Sequence, residues 1–298
     1  MQQHVLISGA SGLIGSALST HLARLGFVVH ALERDNPAAR FNYSAASRQV
    51  ALDHSISLSA VINLAGPSIA DGRWTARRKQ ELLESRVDLT TALATALAAA
   101  PQPPALFLSA SAVGFYGEST LPLNEEAPAG DDYLASLATR WEAATAPARQ
   151  VGIPTAHLRF GVVLSTKGGV LGKLMLPFSL CVGGKLGDGH QPMSWIALPD
   201  VLNLLTRLIE APAVLTAHTD SEGVSALNLV ADEPITNAVF TKALGRALHR
   251  PTPSDSTLVR RNGRCPASRT FGSHIHPPGS FGLYPSVSEH RPRPRLSD

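Results

Sequence analysis

The chain has 298 residues, 44% apolar and 16% charged, which suits one large α/β domain or a core with a smaller lobe and excludes a fibrous or wholly disordered chain. Its formal charge of +3 comes from the end of the chain, where residues 251–298 hold seven arginines against Asp255, Glu289 and Asp298, while residues 1–250 come to −1. A body without basic excess is not expected to bind nucleic acid, and with no apolar run near the roughly 18 residues of a membrane span, no membrane partner is expected.

Taken in chain order, short β-branched runs predict strands near His4–Ser8, Val28–Leu32, Ala60–Leu64, Ala105–Ser109 and Thr155–Arg159. Ala/Leu-rich stretches of helical period predict helices near Gly12–Leu25, Thr75–Ala99 and Tyr133–Val151, with Gly26 and Gly152 as stops. This alternation is that of βαβ units in a doubly wound parallel α/β sheet of Rossmann type. Residues Gly161–Trp195 are Gly- and Pro-rich and weakly periodic, so they read as a long segment crossing the open end of the sheet and shaping a pocket. A helix near Pro199–Glu210, a strand near Ala226–Val230 and a helix near Thr236–Leu248 follow. The expected organisation is a dinucleotide-binding core over 1–160, a substrate-side region over 161–250 interleaved with it, and an irregular Pro/Arg-rich tail over 251–298.

The strongest local signal is Gly9-Ala10-Ser11-Gly12-Leu13-Ile14-Gly15, directly after an apolar strand and opening a helix. Gly9 allows the tight turn, Gly12 lets backbone approach a pyrophosphate, and Gly15 lets helix and strand pack closely. The helix amides and dipole then favour the anion, so the expected cofactor is a nicotinamide dinucleotide. At the end of the second strand, Glu33 suits the ribose hydroxyls of NAD and Arg34 the 2′-phosphate of NADP. The pair points both ways. NADP is the expectation, with NAD as the alternative.

The GxxGxxG spacing, with Asn63-Leu64-Ala65-Gly66, resembles the extended short-chain dehydrogenase/reductases. Gly72–Trp74, Ser85–Thr90, Ser109–Gly117, Trp141-Glu142, Arg159–Leu164, Gly183–Gly189 and Pro234–Phe240 look like its epimerase-like branch of NADP-binding oxidoreductases. The likeness covers about residues 4–250. It implies that Asn63, Leu64, Ala65 and Gly66 run under the nicotinamide ribose and diphosphate, that Arg86 organises the cofactor side, and that Glu142 lies near the nicotinamide end. The same likeness makes the run ending at Trp195 a substrate-side loop; Arg159 falls on that side too. A small hydroxyl or carbonyl substrate and hydride transfer are implied.

The wider superfamily uses a serine, a tyrosine and a lysine four residues beyond it, whose cation lowers the phenol pKa for proton exchange. Here Ser111 takes the serine place and Tyr133 the tyrosine place, but Leu137 stands where the lysine would. Tyr116, on the loop after Ser111, is the second proton-donor candidate. The rival expectation is a non-catalytic dinucleotide sensor or scaffold. Relatives end in an apolar helical lobe, unlike the chain after Pro251, so either a reading frame lost near that point or a lineage-specific tail is expected. The N-terminus reads as a strand and not a secretory leader. Cys181 and Cys265 lack metal-type spacing, so a cytoplasmic protein with no metal site is expected. The oligomeric state stays open, a homodimer among the options.

Overall fold

The structure is a computed structural model, described here over residues 2–69, 71–119, 121–216, 224–250 and 252. Its strands are β1 (His4–Ser8), β2 (Val28–Arg34), β3 (Asn42–Ser44), β4 (Gln49–Ala51), β5 (Ala60–Asn63), β6 (Phe107–Ala112), β7 (Thr155–Phe160), β8 (Val162–Ser165), β9 (Pro192–Met193), β10 (Trp195–Ala197), β11 (Val224–Leu229) and β12 (Ile235–Thr236). The helices are α1 (Leu13–Arg24), α2 (Ala76–Ala98), α3 (Tyr133–Ala143), α4 (Ala146–Gln150), α5 (Gly169–Ser179), α6 (Leu198–Glu210), α7 (Ala213–Thr216) and α8 (Asn237–Ala247), with a 3₁₀ turn at Val113–Tyr116.

Eight strands form one sheet in the order β11-β7-β6-β5-β1-β2-β3-β4, parallel throughout except for the β3–β4 pair. The chain winds outward from β1 in both directions, so the order reverses between β1 and β5. This is the doubly wound Rossmann topology, and its switch point is where such sheets bind ligands.

Side-chain alternation sorts the two faces. Val5, Ile7, Leu106, Leu108, Ala156 and Leu158 pack with Leu18 and Leu22 of α1 and Val201 and Leu205 of α6. Leu6, Val61 and Phe107 point the other way, onto Leu89, Leu93 and Leu97 of α2 and Ala148 of α4. The same alternation carries Ser109, Ser111, His157 and Arg159 to the α2/α3 face, which matters below.

Three features differ from the sequence expectation. The helix expected over Tyr133–Val151 is two helices, broken at Ala144–Thr145 with a proline in the first turn of α4 and the Thr145 hydroxyl turned back to the Glu142 carbonyl. The β3–β4 pair was not expected, each strand being three residues long. The segment over Gly161–Trp195 is not irregular: it carries β8, α5 and β9, and begins β10, which pairs with β8. The expected irregular tail falls on residues 251–298, which, apart from Thr252, lie outside the described residues, as does Cys265.

Candidate functional site

β1 ends in the Gly9 turn, where Gly9 has φ +73°. A side chain at Gly9 would meet the Ala65 nitrogen and Leu64 carbonyl at 2.9 Å, and a Cβ at Gly15 would lie 2.1 Å from the Gly9 oxygen. Both glycines are therefore required by packing: one seats the turn against the loop after β5, the other seats α1 against the turn. Gly12 differs. Its φ of −73° and ψ of 175° suit any residue, and its amide donates to the Gly9 oxygen at 2.9 Å.

Gly12 is the N-cap of α1, among the described residues no side chain caps the helix, and no acidic residue stands in its first turn. Helix geometry gives the Leu13, Ile14 and Gly15 amides no intrahelical acceptor. Ser11 and Gly12 are exposed. The switch point therefore presents open donors at the positive end of a twelve-residue helix. Across the opening, Leu13 packs against the turn into α5, since a Cβ at Gly169 would lie 3.0 Å from Leu13 Cδ2. Lys173 of α5 is ion-paired to Asp71 in the loop before α2.

At the end of β2, Glu33 accepts a hydrogen bond from the Asn36 amide at 2.6 Å. The Arg34 guanidinium is largely exposed and 3.4 Å from Asp35. The two charges thus do separate: the carboxylate is engaged locally, and the guanidinium is held only by a surface partner.

At the end of β5, Asn63 is fully buried. It accepts from Ser8 Oγ at 2.5 Å and donates to Thr90 Oγ1 at 2.8 Å, so its side chain ties β1, β5 and α2 together beneath the turn. Leu64 and Ala65 touch Gly9, and Gly66 rests on the guanidinium of Arg86, 3.1 Å from where a Cβ would be. Arg86 is 5% exposed and donates to the carbonyls of Leu82 and Pro67.

The remaining predicted groups form a buried polar network on the α2/α3 face. Ser111 donates to Glu142 Oε1 at 2.6 Å, and Arg159 grips both Glu142 oxygens at 2.9 Å. Arg159 also donates to the Tyr116 hydroxyl oxygen at 2.9 Å, and that hydroxyl donates to Asn228 at 2.8 Å. Burial opposes ionisation of Glu142, but hydrogen bonds and charge from His157 and Arg159 outweigh it and bring the carboxyl to about 2. Burial pushes the Tyr116 phenol up, against the pull of Arg159.

Ser111 and Tyr133 are not joined. The Tyr133 hydroxyl donates to the Lys79 carbonyl at 2.7 Å, its ring lies edge-on to Trp74 and under Lys79, and burial raises its pKa. Leu137 is buried with Leu82 and Leu83, so apolar packing fills the place of the usual lysine. Glu142, expected beside the nicotinamide, has its carboxylate closed by protein donors. Trp195 pairs through β10 with Val162, and among the described residues its buried indole N–H has no partner. Sequence reading missed Asn228 and the Arg78 anchor on the Ser68 carbonyl; each contact spans loops that no local pattern marks. Among the described residues no metal-binding group of side chains occurs, and no helix is long and apolar enough to cross a membrane.

Comparison with known proteins agrees with this fold. The model of the NAD dependent epimerase/dehydratase family matches residues 5–219. An epimerase family protein of Mycobacterium leprae is 38% identical over 252 residues, covering 84% of this chain and 78% of that one. The human epimerase family protein SDR39U1 is 38% identical over 260 residues, covering 84% and 83%. A crystal structure of that human protein with NADPH superposes with a TM-score of 0.71 at 35% identity, covering 88% of this chain and 86% of that one. UDP-galactose 4-epimerase, at 16% identity and a TM-score of 0.62, shares the fold.

Proposed function

The chain belongs to the NAD dependent epimerase/dehydratase family, and from that premise we propose that it is an NADP-dependent oxidoreductase or nucleotide-sugar-type epimerase acting on a small hydroxyl or carbonyl substrate. The observation that carries this reading is the uncapped start of α1 at the sheet's switch point, packed through Gly9 onto Leu64 and Ala65. The Leu13, Ile14 and Gly15 amides, with Ser11 and Gly12 exposed beside them, would hold the diphosphate. Asn63–Gly66 would floor the ribose and nicotinamide side, with Arg86 organising it from below. When bound, the dinucleotide supplies the hydride donor or acceptor.

Arg34 supports NADP over NAD, because its guanidinium is free to turn to a 2′-phosphate while Glu33 is occupied by Asn36. For proton exchange, Ser111 would orient the substrate oxygen. Tyr116 is better supported than Tyr133, because a guanidinium already donates to its oxygen, the kind of cationic assistance the absent lysine would give; its proton goes to Asn228, as that of Tyr133 goes to the Lys79 carbonyl. Glu142 would serve by fixing Arg159 and Ser111, and Arg159 and Trp195 would lie on the substrate side.

The second reading, a dinucleotide sensor without turnover, is favoured by the buried Leu137 and by the protein partners of both tyrosine hydroxyls. Titration with NADPH and NADH, in wild type and Arg34→Ala, tests the cofactor assignment. NADPH should bind more tightly, and the substitution should weaken NADPH about tenfold while sparing NADH, a loss of about 1.4 kcal/mol. Equal binding unaffected by the substitution removes the NADP assignment. Tight binding without cofactor oxidation across a broad alcohol and carbonyl panel selects the sensor.

A further inference from the structure

Ser111 of β6, Arg159 of β7 and Asn228 of β11 are register partners across three adjacent strands, so they form one row near the carboxyl end of the sheet. The Tyr116 hydroxyl joins two of them, with Arg159 Nη1 at 2.9 Å and Asn228 Oδ1 at 2.8 Å. A guanidinium can only donate, so the phenol oxygen accepts from Arg159 and the phenol proton goes to Asn228. That fixes which end of the amide faces the phenol: the oxygen. β11 is the edge of the sheet, and the Asn228 backbone N–H donates to Glu125 Oε1 at 2.9 Å, while the Glu125 carbonyl accepts from Arg159 Nη1 at 3.2 Å. Glu125 therefore pins Asn228 by its backbone and leaves the side chain uncommitted. Among the described residues the amide makes no hydrogen bond besides the one to Tyr116.

The two candidate tyrosines differ at this point. Tyr133 gives its proton to the backbone carbonyl of Lys79 in α2, an acceptor that cannot become a donor. The acceptor at Tyr116 is of another kind. A primary amide carries an oxygen acceptor and an NH2 donor on one carbon, and a half-turn about the Asn228 Cβ–Cγ bond exchanges them at the cost of a single hydrogen bond. With oxygen inward it holds a phenol; with nitrogen inward it holds a phenolate. The phenol needs such help to ionise: burial pushes its pKa up, Arg159 and Asn228 pull it down, and the charge of Glu125 opposes them.

We propose that Asn228 is a positioning residue for proton transfer, an amide that turns over as Tyr116 ionises, accepting from the phenol before the step and donating to the phenolate after it. The proposal rests on the oxidoreductase reading given above, with Tyr116 as proton donor. In the reducing direction the Tyr116 O–H bond breaks, and its proton forms the new hydroxyl on the substrate carbonyl oxygen as the carbonyl carbon takes hydride from the reduced dinucleotide. The phenolate left behind keeps the Arg159 hydrogen bond and gains one from Asn228 Nδ2. A proton from solvent then restores the phenol, and the amide turns back. Arg159 and Asn228 together thus replace the cation that Leu137 cannot supply.

The test is the sign of one shift. Ionisation of Tyr116 is followed by tyrosinate absorbance, as the difference between each protein and its Tyr116→Phe counterpart, which isolates one phenol among the four tyrosines of the chain. Asn228→Leu removes the amide and keeps the backbone bond to Glu125. A hydrogen bond to a charged group is about twice as strong as one between neutral groups, so an amide that serves both states favours the phenolate on balance. Its loss should raise the Tyr116 pKa by about one pH unit. An amide fixed as an acceptor favours the phenol alone, and its loss should lower the pKa. In carbonyl reduction with NADPH, Asn228→Leu should lower kcat about tenfold and leave KM little changed.

A Tyr116 pKa that falls or stays in place in Asn228→Leu overturns the proposal, as does an unchanged kcat. If Asn228→Leu does not fold, Asn228→Val, equally unable to donate or accept and suited to a strand, is read against the same criteria. Tyr116→Phe turning over as fast as wild type removes Tyr116 as proton donor and the amide's role with it. Wild type that reduces no carbonyl substrate removes the oxidoreductase reading and this proposal together, whereas failure confined to the Asn228 variants removes only the latter.

Discussion

Replacing Gly12 with aspartate separates the role of the glycine turn in folding from its role in binding. The position has ordinary backbone angles, so a side chain brings no left-handed strain. The new Cβ would approach only the Gly9 oxygen, at 3.2 Å, a contact relieved by a few tenths of an ångström. An aspartate at an N-cap accepts from the amides that now lack partners, and it is favoured over glycine there by a few tenths of a kcal/mol, with about 0.3–1 kcal/mol more from the helix dipole. The ligand-free Gly12→Asp protein should therefore unfold within about 3 °C of wild type, on the stable side. Binding should fail for the same reason. The carboxylate takes the donors that the diphosphate needs and repels it; at about 4 Å and an effective dielectric near 20, that repulsion is about 4 kcal/mol. NADPH affinity, followed by its fluorescence, should fall at least about a hundredfold. Gly15→Ala is the contrasting control, because its methyl would sit 2.1 Å from the Gly9 oxygen and should damage fold and binding together. NADPH binding within about threefold of wild type in a folded Gly12→Asp protein would refute the placement of the diphosphate.

Two further outcomes follow from the buried side chains. The Glu142 carboxyl is held near 2 against an ordinary 4.5, so its stabilisation is complete above about pH 4.5 and is lost as pH falls toward 2, on the order of 3 kcal/mol. Glu142→Gln should lose about 3–5 kcal/mol at pH 7 by leaving Arg159 unpaired, and its denaturant midpoint should fall less than that of wild type between pH 5 and pH 2; a parallel decline in both proteins would contradict the assignment. At Gly183 a Cβ would overlap the Phe178 ring at 2.2 Å, and Phe178 anchors α5 to Phe240 and Leu244. Gly183→Ala should cost about 1–3 kcal/mol, measured by chemical denaturation, and unchanged stability would show that the ring has room to move.

Much of this architecture is legible before any coordinates. The strands that build the sheet's centre are continuous apolar runs, as strands covered on both faces must be, and Gly9, Gly12 and Gly15 announce the turn because strand, spacing and helix coincide there. What stays hidden has physical reasons. β3 and β4 are too short to show a period, and α5 contains Pro177 and Gly172, residues that weaken any helical signal although tertiary contacts through Phe178 hold it. The break at Ala144–Thr145 rests on a side-chain-to-backbone bond that composition does not reveal. The polar network is the least legible part: Tyr116 and Asn228 are 112 residues apart, and only the register of β6, β7 and β11 brings them together. Leu137 in the lysine place was visible at once, but not that Arg159, from a different strand, would approach a different tyrosine.

The contact of Leu13 with the turn at Gly168 and Gly169 bears on how such a protein can be re-engineered. Leu13 belongs at once to the glycine turn at the start of α1 and to the surface on which the start of α5 rests, so the two modules share a part. A chimera that imports residues 161–195 from a relative, to exchange substrate preference, would inherit a partner shaped for another residue at position 13. Swaps that carry both pieces together should keep coenzyme affinity; those that carry one should lose it through the mismatched contact at Leu13.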